Sequence, residues 1–190
     1  MTLESFFYAY LWGMVILGVG IFITLQFITP AYGMTYNNRW GASISSRWGW
    51  LIMETPVFVI MLIIYLNSLL TGVKPFNIVT FIFLLIFQTH YLQRSFIFPA
   101  LMKGQSRMPL SIMFAGIFFN ASNAFIQGGW LFMFAPANAY PISWFWSPQF
   151  IIGCVLFFIG MVINIKSDRI IRKLRKSRDD NNYYLPQGFL

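Results

Sequence analysis

Cysteine, histidine and acidic residues are almost absent from this chain of 190 residues. It contains one cysteine, one histidine and five Asp or Glu, and charged residues make up only 9% of it. The single Cys154 cannot form an intrachain disulfide or a thiolate metal cluster, and the single His90 excludes a metal site with two imidazole ligands. We therefore expect neither a disulfide framework nor a metal centre.

Apolar residues are abundant instead, at 58% of the chain with 22 Phe and 7 Trp, which excludes a water-soluble domain. The net charge of +8 would suit nucleic acid, but seven of the 13 Lys and Arg lie within Lys166–Arg178, directly after an apolar run. Basic clusters beside a membrane span are typical of the cytoplasmic side, where they meet anionic head groups. We therefore predict contacts with membrane lipids and no nucleic-acid partner, and we infer no obligate protein partner.

Five apolar segments are each long enough to cross about 30 Å of hydrocarbon. They cover approximately residues 6–28, 49–70, 76–98, 110–134 and 148–165. No stretch between them has the composition of a linker, and the last segment runs on as a helical extension to about residue 178. The sequence therefore predicts an all-α fold, a polytopic transmembrane helix bundle that forms a single domain over residues 1–190.

The basic residues also predict the orientation of the bundle. With the N-terminus outside, twelve of the 13 Lys and Arg fall on the cytoplasmic side and only Lys74 falls outside. The first residues, MTLESFF, contain an acid and no basic region, so we expect a retained first helix and not a cleaved signal peptide. The segment after the fifth span is then cytoplasmic, in a bacterial inner membrane or the endoplasmic reticulum.

Glu54 is the only acid inside the five predicted spans. A carboxyl group in hydrocarbon costs several kcal/mol unless it is neutral or paired, so it is by default a functional residue. The alternative is a protonated structural acid that bonds a neighbouring helix. Tyr91, in the polar end of the third span, is predicted at a comparable depth, although alone it would be interpreted as an interfacial aromatic residue.

An amide stripe follows one face of the fourth span, where Asn120, Asn123 and Gln127 are spaced i, i+3 and i+7. Such a stripe either bonds helices to one another or lines a polar cavity.

A second stripe on the last helix contains Asn164, Asp168, Arg172 and Arg175, all within about 80° of one another. Amide, carboxylate and guanidinium groups in this order suit a long phosphorylated ligand. A solvated positive-inside anchor is the alternative explanation.

Several motifs resemble the steroid 5α-reductase family of membrane enzymes. These are GMVINIKSDRIIRKLRK followed by YYLPQG, METP, HYLQRSF and the shorter AYG. The resemblance implies hydride transfer from NADPH to the β-carbon of a conjugated lipid enone, such as a Δ4-3-oxo steroid. Family members continue for roughly two more membrane helices after PQG. An intact member is therefore expected to have about seven spans, and this chain to lack the C-terminal part.

The resemblance also implies roles for individual residues. Tyr91 and Glu54 correspond to the catalytic pair that polarises the ketone. The expected NADPH contacts are Arg94, Asn164, Asp168, Arg172, Arg175 and Tyr183. The expected substrate-cavity residues are Tyr32, Gly33, Met53, Asn120 and Asn123. The family often has Gln at the position of Met53, which affects the expected substrate preference.

Other functions remain open from the sequence alone. A related reductase of polyprenols or enoyl thioesters would use the same residues on another lipid. A membrane methyltransferase that uses S-adenosylmethionine is a second possibility, although it does not require the Glu54 and Tyr91 pair. A non-catalytic lipid-binding or transport bundle is a third, since it would also explain an intramembrane acid and an amide stripe.

Overall fold

The computed structural model describes residues 1–30, 36 and 38–174, and this part of the chain is mainly helical. The α-helices are α1 Leu3–Thr24, α2 Ser46–Leu70, α3 Ile78–Leu92, α4 Phe98–Leu101, α5 Leu110–Gly129 and α6 Pro148–Lys173. π-Helical segments, Gln93–Ile97 and Trp130–Phe134, continue α3 and α5, and the 3-10 turns are Asn38–Trp40 and Ile142–Trp146. Two short strands, β1 Ser43–Ser45 and β2 Arg107–Pro109, pair antiparallel. The predicted all-α membrane helix bundle is confirmed.

Four helices among the described residues are long and apolar enough to cross a membrane: α1, α2, α5 with its π-helical continuation, and α6. The third predicted span is instead divided into α3, which has 15 residues, the π-helical segment and the short α4. Since α3 alone is shorter than the roughly 20 residues that a spanning helix needs, the count of five spans stays a prediction. The helix α6 continues unbroken from its apolar part to Lys173, and the predicted extension beyond residue 174 lies outside the described residues.

The core of the bundle lies between α2 and α5, which pack more extensively than any other pair of elements among the described residues. Glycines of α5 permit this close approach. A β-carbon at Gly116 would lie 2.7 Å from the Met53 sulfur, and one at Gly128 would lie 2.9 Å from the Met61 sulfur. Small residues serve this purpose in membrane proteins, where packing rather than water exclusion drives helix association.

Pro56 lies inside α2 without ending the helix. Side chains of neighbouring elements donate hydrogen bonds to α2 carbonyls on both sides of it: Asn120 to Met53 at 2.8 Å, Ser95 to Glu54 at 2.9 Å, and Gln88 to Phe58 at 3.0 Å. A proline is tolerated inside a membrane helix where neighbouring groups bond the nearby backbone. These three bonds therefore connect α2 to α5, to the π-helical segment and to α3.

Basic residues are distributed unequally between the two ends of the bundle. Arg47, Lys103 and Arg107 lie near the start of α2, and Lys74 lies beyond its end. Pairing of β1 with β2 brings the segments before α2 and α5 together at one end, where Arg107 donates to the Ser43 carbonyl at 2.7 Å. Lys74, which follows α2, lies at the opposite end and donates to the Ala135 carbonyl. This separation supports the predicted orientation of the chain, which itself stays a prediction.

Replacing Ser95 by Ala should lower the free energy of unfolding by about 1–2 kcal/mol, because a buried hydrogen bond to α2 is lost. Ser95 is fully buried, and its hydroxyl is the donor to the Glu54 carbonyl. Denaturant unfolding in detergent micelles measures the change. The control is Ser111→Ala, because that hydroxyl is exposed and bonds the Trp40 carbonyl at 3.2 Å. Equal effects of the two substitutions would contradict the prediction.

Candidate active site

The Glu54 carboxyl group lies inside the bundle, with the residue only 8% exposed. Its oxygen Oε1 is 3.7 Å from Nε of Arg94, and the Asn120 side chain is close enough to interact with the carboxyl group. The Tyr91 phenol is close enough to interact with it electrostatically. The structure thus brings the two predicted catalytic residues together, on α2 and α3, and adds a cation and an amide to them.

Arg94 lies in the π-helical segment that follows α3. Its guanidinium carbon is 4.2 Å from the centre of the Trp50 ring and 4.6 Å from the centre of the Phe98 ring. Aromatic faces attract a cation at these distances. The opposite contact is to α6, where Nη1 of Arg94 is 3.9 Å from Oδ2 of Asp168. One arginine therefore connects the acid of α2 to the acid of α6.

A π-helical turn changes the direction in which the side chains of a helix project, and such turns occur often at functional sites. Here the turn begins directly after α3, one residue before Arg94 and two residues after Tyr91. Ser95, within the same turn, is bonded to the Glu54 carbonyl. The segment that carries the arginine is thus bonded to the helix that carries the acid, which fixes their relative position.

The Tyr91 ring packs on Phe87, with ring centres 4.6 Å apart, and meets the edge of the His90 ring at 5.0 Å. Its phenol oxygen accepts a hydrogen bond from Nδ2 of Asn123 on α5 at 2.8 Å. His90 has its other aromatic contact with Phe157 of α6. The histidine thus packs among aromatic rings, and we assign it no chemical role.

The predicted stripe of α6 is the inward face of that helix near its end. Asp168 is the only buried residue of α6, Asn164 and Arg172 are half-buried, and Arg169 is exposed. A cavity of about 80 Å³ borders this face. Its lining residues are Phe98, Met102, Lys103, Ser106, Asp168, Ile171 and Arg172.

Two buried polar atoms of this face, Oδ2 of Asp168 and Nη1 of Arg172, have no hydrogen-bond partner within the described part of the chain. Buried polar atoms are usually bonded, so each such atom indicates a missing partner. An acceptor and a cationic donor beside one cavity fit a ligand that carries both hydroxyl or amide groups and phosphates. The face could therefore hold the predicted nucleotide.

The remaining predicted residues fall into three groups. Tyr32, Gly33, Arg175 and Tyr183 lie outside the described residues. Met53 packs against α5 at Gly116, so its part in a substrate cavity stays a prediction. Asn120 and Asn123 both bond groups on other helices, whereas Gln127 is exposed.

The ion pair between Glu54 and Arg94 was not predicted from the sequence, and neither were the two aromatic rings that pack against the arginine. The spacing contains a signal for those rings. Trp50 lies four residues before Glu54 and Phe98 lies four residues after Arg94, so each ring is about one helical turn from its charged residue. The bond from Asn123 to Tyr91 has no such signal, because it joins residues 32 positions apart.

Comparison with known proteins finds similar sequences of named function. A family model described as 3-oxo-5-alpha-steroid 4-dehydrogenase matches residues 106–190. The chain is 30% identical to 3-oxo-5-alpha-steroid 4-dehydrogenase 1 of Bos taurus and 33% identical to the protein of that name in Macaca fascicularis. These alignments cover 92% and 84% of this chain, and 66% and 59% of the relatives. Steroid 5-alpha-reductase DET2 of Arabidopsis thaliana is 29% identical, over 97% of this chain and 70% of the relative. The chain thus spans about two thirds of the length of these relatives.

Replacing Arg94 by Met should destabilise the protein by about 2–3 kcal/mol, because Glu54 and Asp168 then lose the cation between them. Thermal and denaturant unfolding in detergent measure this loss. The double variant Arg94→Met with Glu54→Gln should recover part of it, since one unpaired carboxylate is removed.

The matched control is Arg47→Met, because Arg47 donates to the Ala100 carbonyl at 3.0 Å and forms no ion pair with a carboxylate of the described residues. We expect a loss of at most about 1 kcal/mol for this control. A double variant that is less stable than Arg94→Met alone would show that the charges of Arg94 and Glu54 do not stabilise each other.

Proposed function

This chain belongs to the 3-oxo-5-alpha-steroid 4-dehydrogenase family, and we propose that it uses NADPH to reduce the Δ4 double bond of a 3-oxo steroid to the 5α product. One structural observation carries the proposal. The intramembrane Glu54 lies 3.7 Å from Arg94 and within electrostatic reach of the Tyr91 phenol, and this arginine also lies 3.9 Å from Asp168 on the proposed cofactor helix. Groups suited to a ketone and groups suited to a nucleotide are therefore adjacent.

The chemistry of a conjugated enone explains the need for hydrogen-bond donors. A bound reduced nicotinamide would supply hydride to the β-carbon of the enone. Negative charge then develops on the ketone oxygen until the α-carbon is protonated. Donors already aimed at that oxygen lower the barrier, each typically by about 2.7–4 kcal/mol.

We assign the donor role to the Tyr91 hydroxyl, with Glu54 as its acidic partner. Asn120 donates to the Met53 carbonyl, and Ser95 donates to the carbonyl of Glu54 itself. Both reacting groups thus sit on helices, where packing restricts their movement more than a loop would.

NADPH would lie along the inward face of α6. The residues that would hold it are Arg94, Asn164, Asp168 and Arg172, together with Arg175 and Tyr183. Guanidinium groups pair with phosphate oxygens in bidentate geometry, and Nη1 of Arg172, which has no hydrogen-bond partner among the described residues, suits such a contact. The carboxylate of Asp168 can accept hydrogen bonds from hydroxyl or amide groups of the same ligand.

The location of the site fits the solubilities of the two substrates. A steroid partitions into the membrane, whereas NADPH is dissolved in the cytoplasm. Arg94 and its two acidic partners, Glu54 and Asp168, lie toward the end of the bundle where β1 and β2 pair. This is the end predicted to face the cytoplasm. We therefore propose an integral membrane enzyme with its N-terminus outside and its cofactor site on the cytoplasmic side.

The substitution Tyr91→Phe should lower kcat by about 10²–10³-fold, because it removes one donor to the oxyanion. Glu54→Gln should lower it by at least about tenfold, since an amide replaces the acidic partner and loses the contact with Arg94. The assay follows NADPH oxidation with a Δ4-3-oxo steroid and identifies the product by mass.

Tyr65→Phe is the matched control, because this half-buried tyrosine lies near the opposite end of α2 and lines a different cavity. It should retain the activity of the unmodified chain. Undiminished turnover in Tyr91→Phe and Glu54→Gln would remove both catalytic assignments, and no steroid reduction by the unmodified chain would refute the proposed activity.

The cofactor site predicts a difference between two arginines of α6, of which Arg172 is half-buried and Arg169 is exposed. Arg172→Gln should weaken NADPH binding by roughly tenfold to a hundredfold, as expected for a lost charge-assisted hydrogen bond. Arg169→Gln, on the exposed face, should change it less than about threefold. Titration of intrinsic tryptophan fluorescence with NADPH gives both dissociation constants. Equal weakening by the two substitutions would indicate general attraction by the basic segment and not a defined site.

A further inference from the structure

Asn123 of α5 forms a hydrogen bond with Tyr91, the residue that we propose as the hydrogen-bond donor to the ketone. Its Nδ2 atom donates to the phenol oxygen of Tyr91 at 2.8 Å. Both side chains are half-buried, and the neighbouring Ala124 is fully buried in the cluster against which Tyr91 packs. The contact thus joins α5 to α3 inside the bundle.

The direction of this bond determines what the phenol can do. A phenol has one proton and an oxygen that can accept, and here the amide occupies the acceptor side. No described residue accepts the Tyr91 proton through a hydrogen bond. The proton is therefore available to another acceptor near Glu54.

We propose that Asn123 is a positioning residue for the reduction. By donating to the phenol oxygen, its amide keeps the Tyr91 proton directed at the ketone oxygen of the substrate. This inference rests on the proposed function, because it assigns a role relative to the proposed donor. Asn123 itself does not touch the reacting atoms.

A hydrogen bond accepted by the phenol also makes its O–H a stronger donor, since bonds in a chain polarise one another in a low-dielectric interior. The amide thus acts on the donor in two ways. It sets the direction of the proton, and it increases the partial charge on that proton. Both effects grow as negative charge develops on the ketone oxygen, so they should affect kcat more than substrate binding.

The structure also shows how the amide is held in place. Asn120, one turn earlier on α5, donates to the Met53 carbonyl at 2.8 Å and lies close to the Glu54 side chain. Successive turns of one helix therefore hold Glu54 and Tyr91. Because α5 approaches α2 closely at Gly116, a shift of the helix that would separate Asn123 from Tyr91 is opposed by packing.

A double-mutant cycle between Asn123 and Tyr91 tests the proposal. In the otherwise unchanged chain, Asn123→Ala should lower the single-turnover rate of Δ4-3-oxo steroid reduction roughly fivefold to tenfold. In the Tyr91→Phe background the same substitution should change the rate less than about twofold, because no phenol proton remains to be directed. The dissociation constant of NADPH should be unchanged in both backgrounds.

Asn123→Asp gives an independent test of the bond direction. A carboxylate cannot donate to the phenol and instead accepts its proton, so this nearly isosteric change should lower the rate more than Asn123→Ala does. Gln127→Ala is the matched control, because it removes an exposed amide from the same helix one turn further along. It should leave the rate within about twofold.

The outcomes separate this inference from the proposed function. An equal loss in both backgrounds, or an Asn123→Asp rate at or above that of Asn123→Ala, would overturn the role of Asn123 and leave the enzyme activity intact. A Tyr91→Phe variant with the full rate would instead overturn the proposed donor, and the inference with it. If Asn123→Ala does not fold, Asn123→Leu, which is similar in size to asparagine and cannot donate, replaces it in the cycle under the same criteria.

Discussion

The contact between Glu54 and Arg94 is the interaction on which the site depends. A carboxyl group inside a membrane helix is costly unless it is neutral or has a partner. Arg94 provides the partner at 3.7 Å, and its own charge is stabilised by the faces of Trp50 and Phe98. Because the same guanidinium also lies 3.9 Å from Asp168, one cation links the proposed ketone site to the proposed cofactor helix.

The packing around this contact explains how it can be held with little freedom. The π-helical segment brings Arg94 toward α2, and Ser95 bonds the Glu54 backbone. On the other side of α2, the small Gly116 allows α5 to come close enough for its amides to reach the site. The helix α6 is different, since Asp168 is its only buried residue. Its position at the site therefore depends strongly on polar contacts, as would suit the proposed binding of a charged cofactor.

Much of the architecture could be predicted from the sequence because it follows from the lipid bilayer that surrounds the chain. Apolar segments of bilayer length must be helical to satisfy their backbone groups, and a basic cluster marks one side. The same reasoning identified Glu54 as exceptional and placed Asp168 and Arg172 on one face of α6. The π-helical turn within the third predicted span was not predicted, because such a turn depends on contacts with other helices and has no periodicity that the sequence would show.

By itself, then, the sequence determined the class of fold, the residues that are unusual in a membrane, and the family to which the chain belongs. These properties depend on local composition, helical spacing and short motifs. Only the tertiary structure decided which unusual residues meet: Arg94 with Glu54, and Asn123 with Tyr91. The physical reason is that such contacts join residues 32 to 40 positions apart, and the rotation and depth of each helix come from side-chain packing against its neighbours.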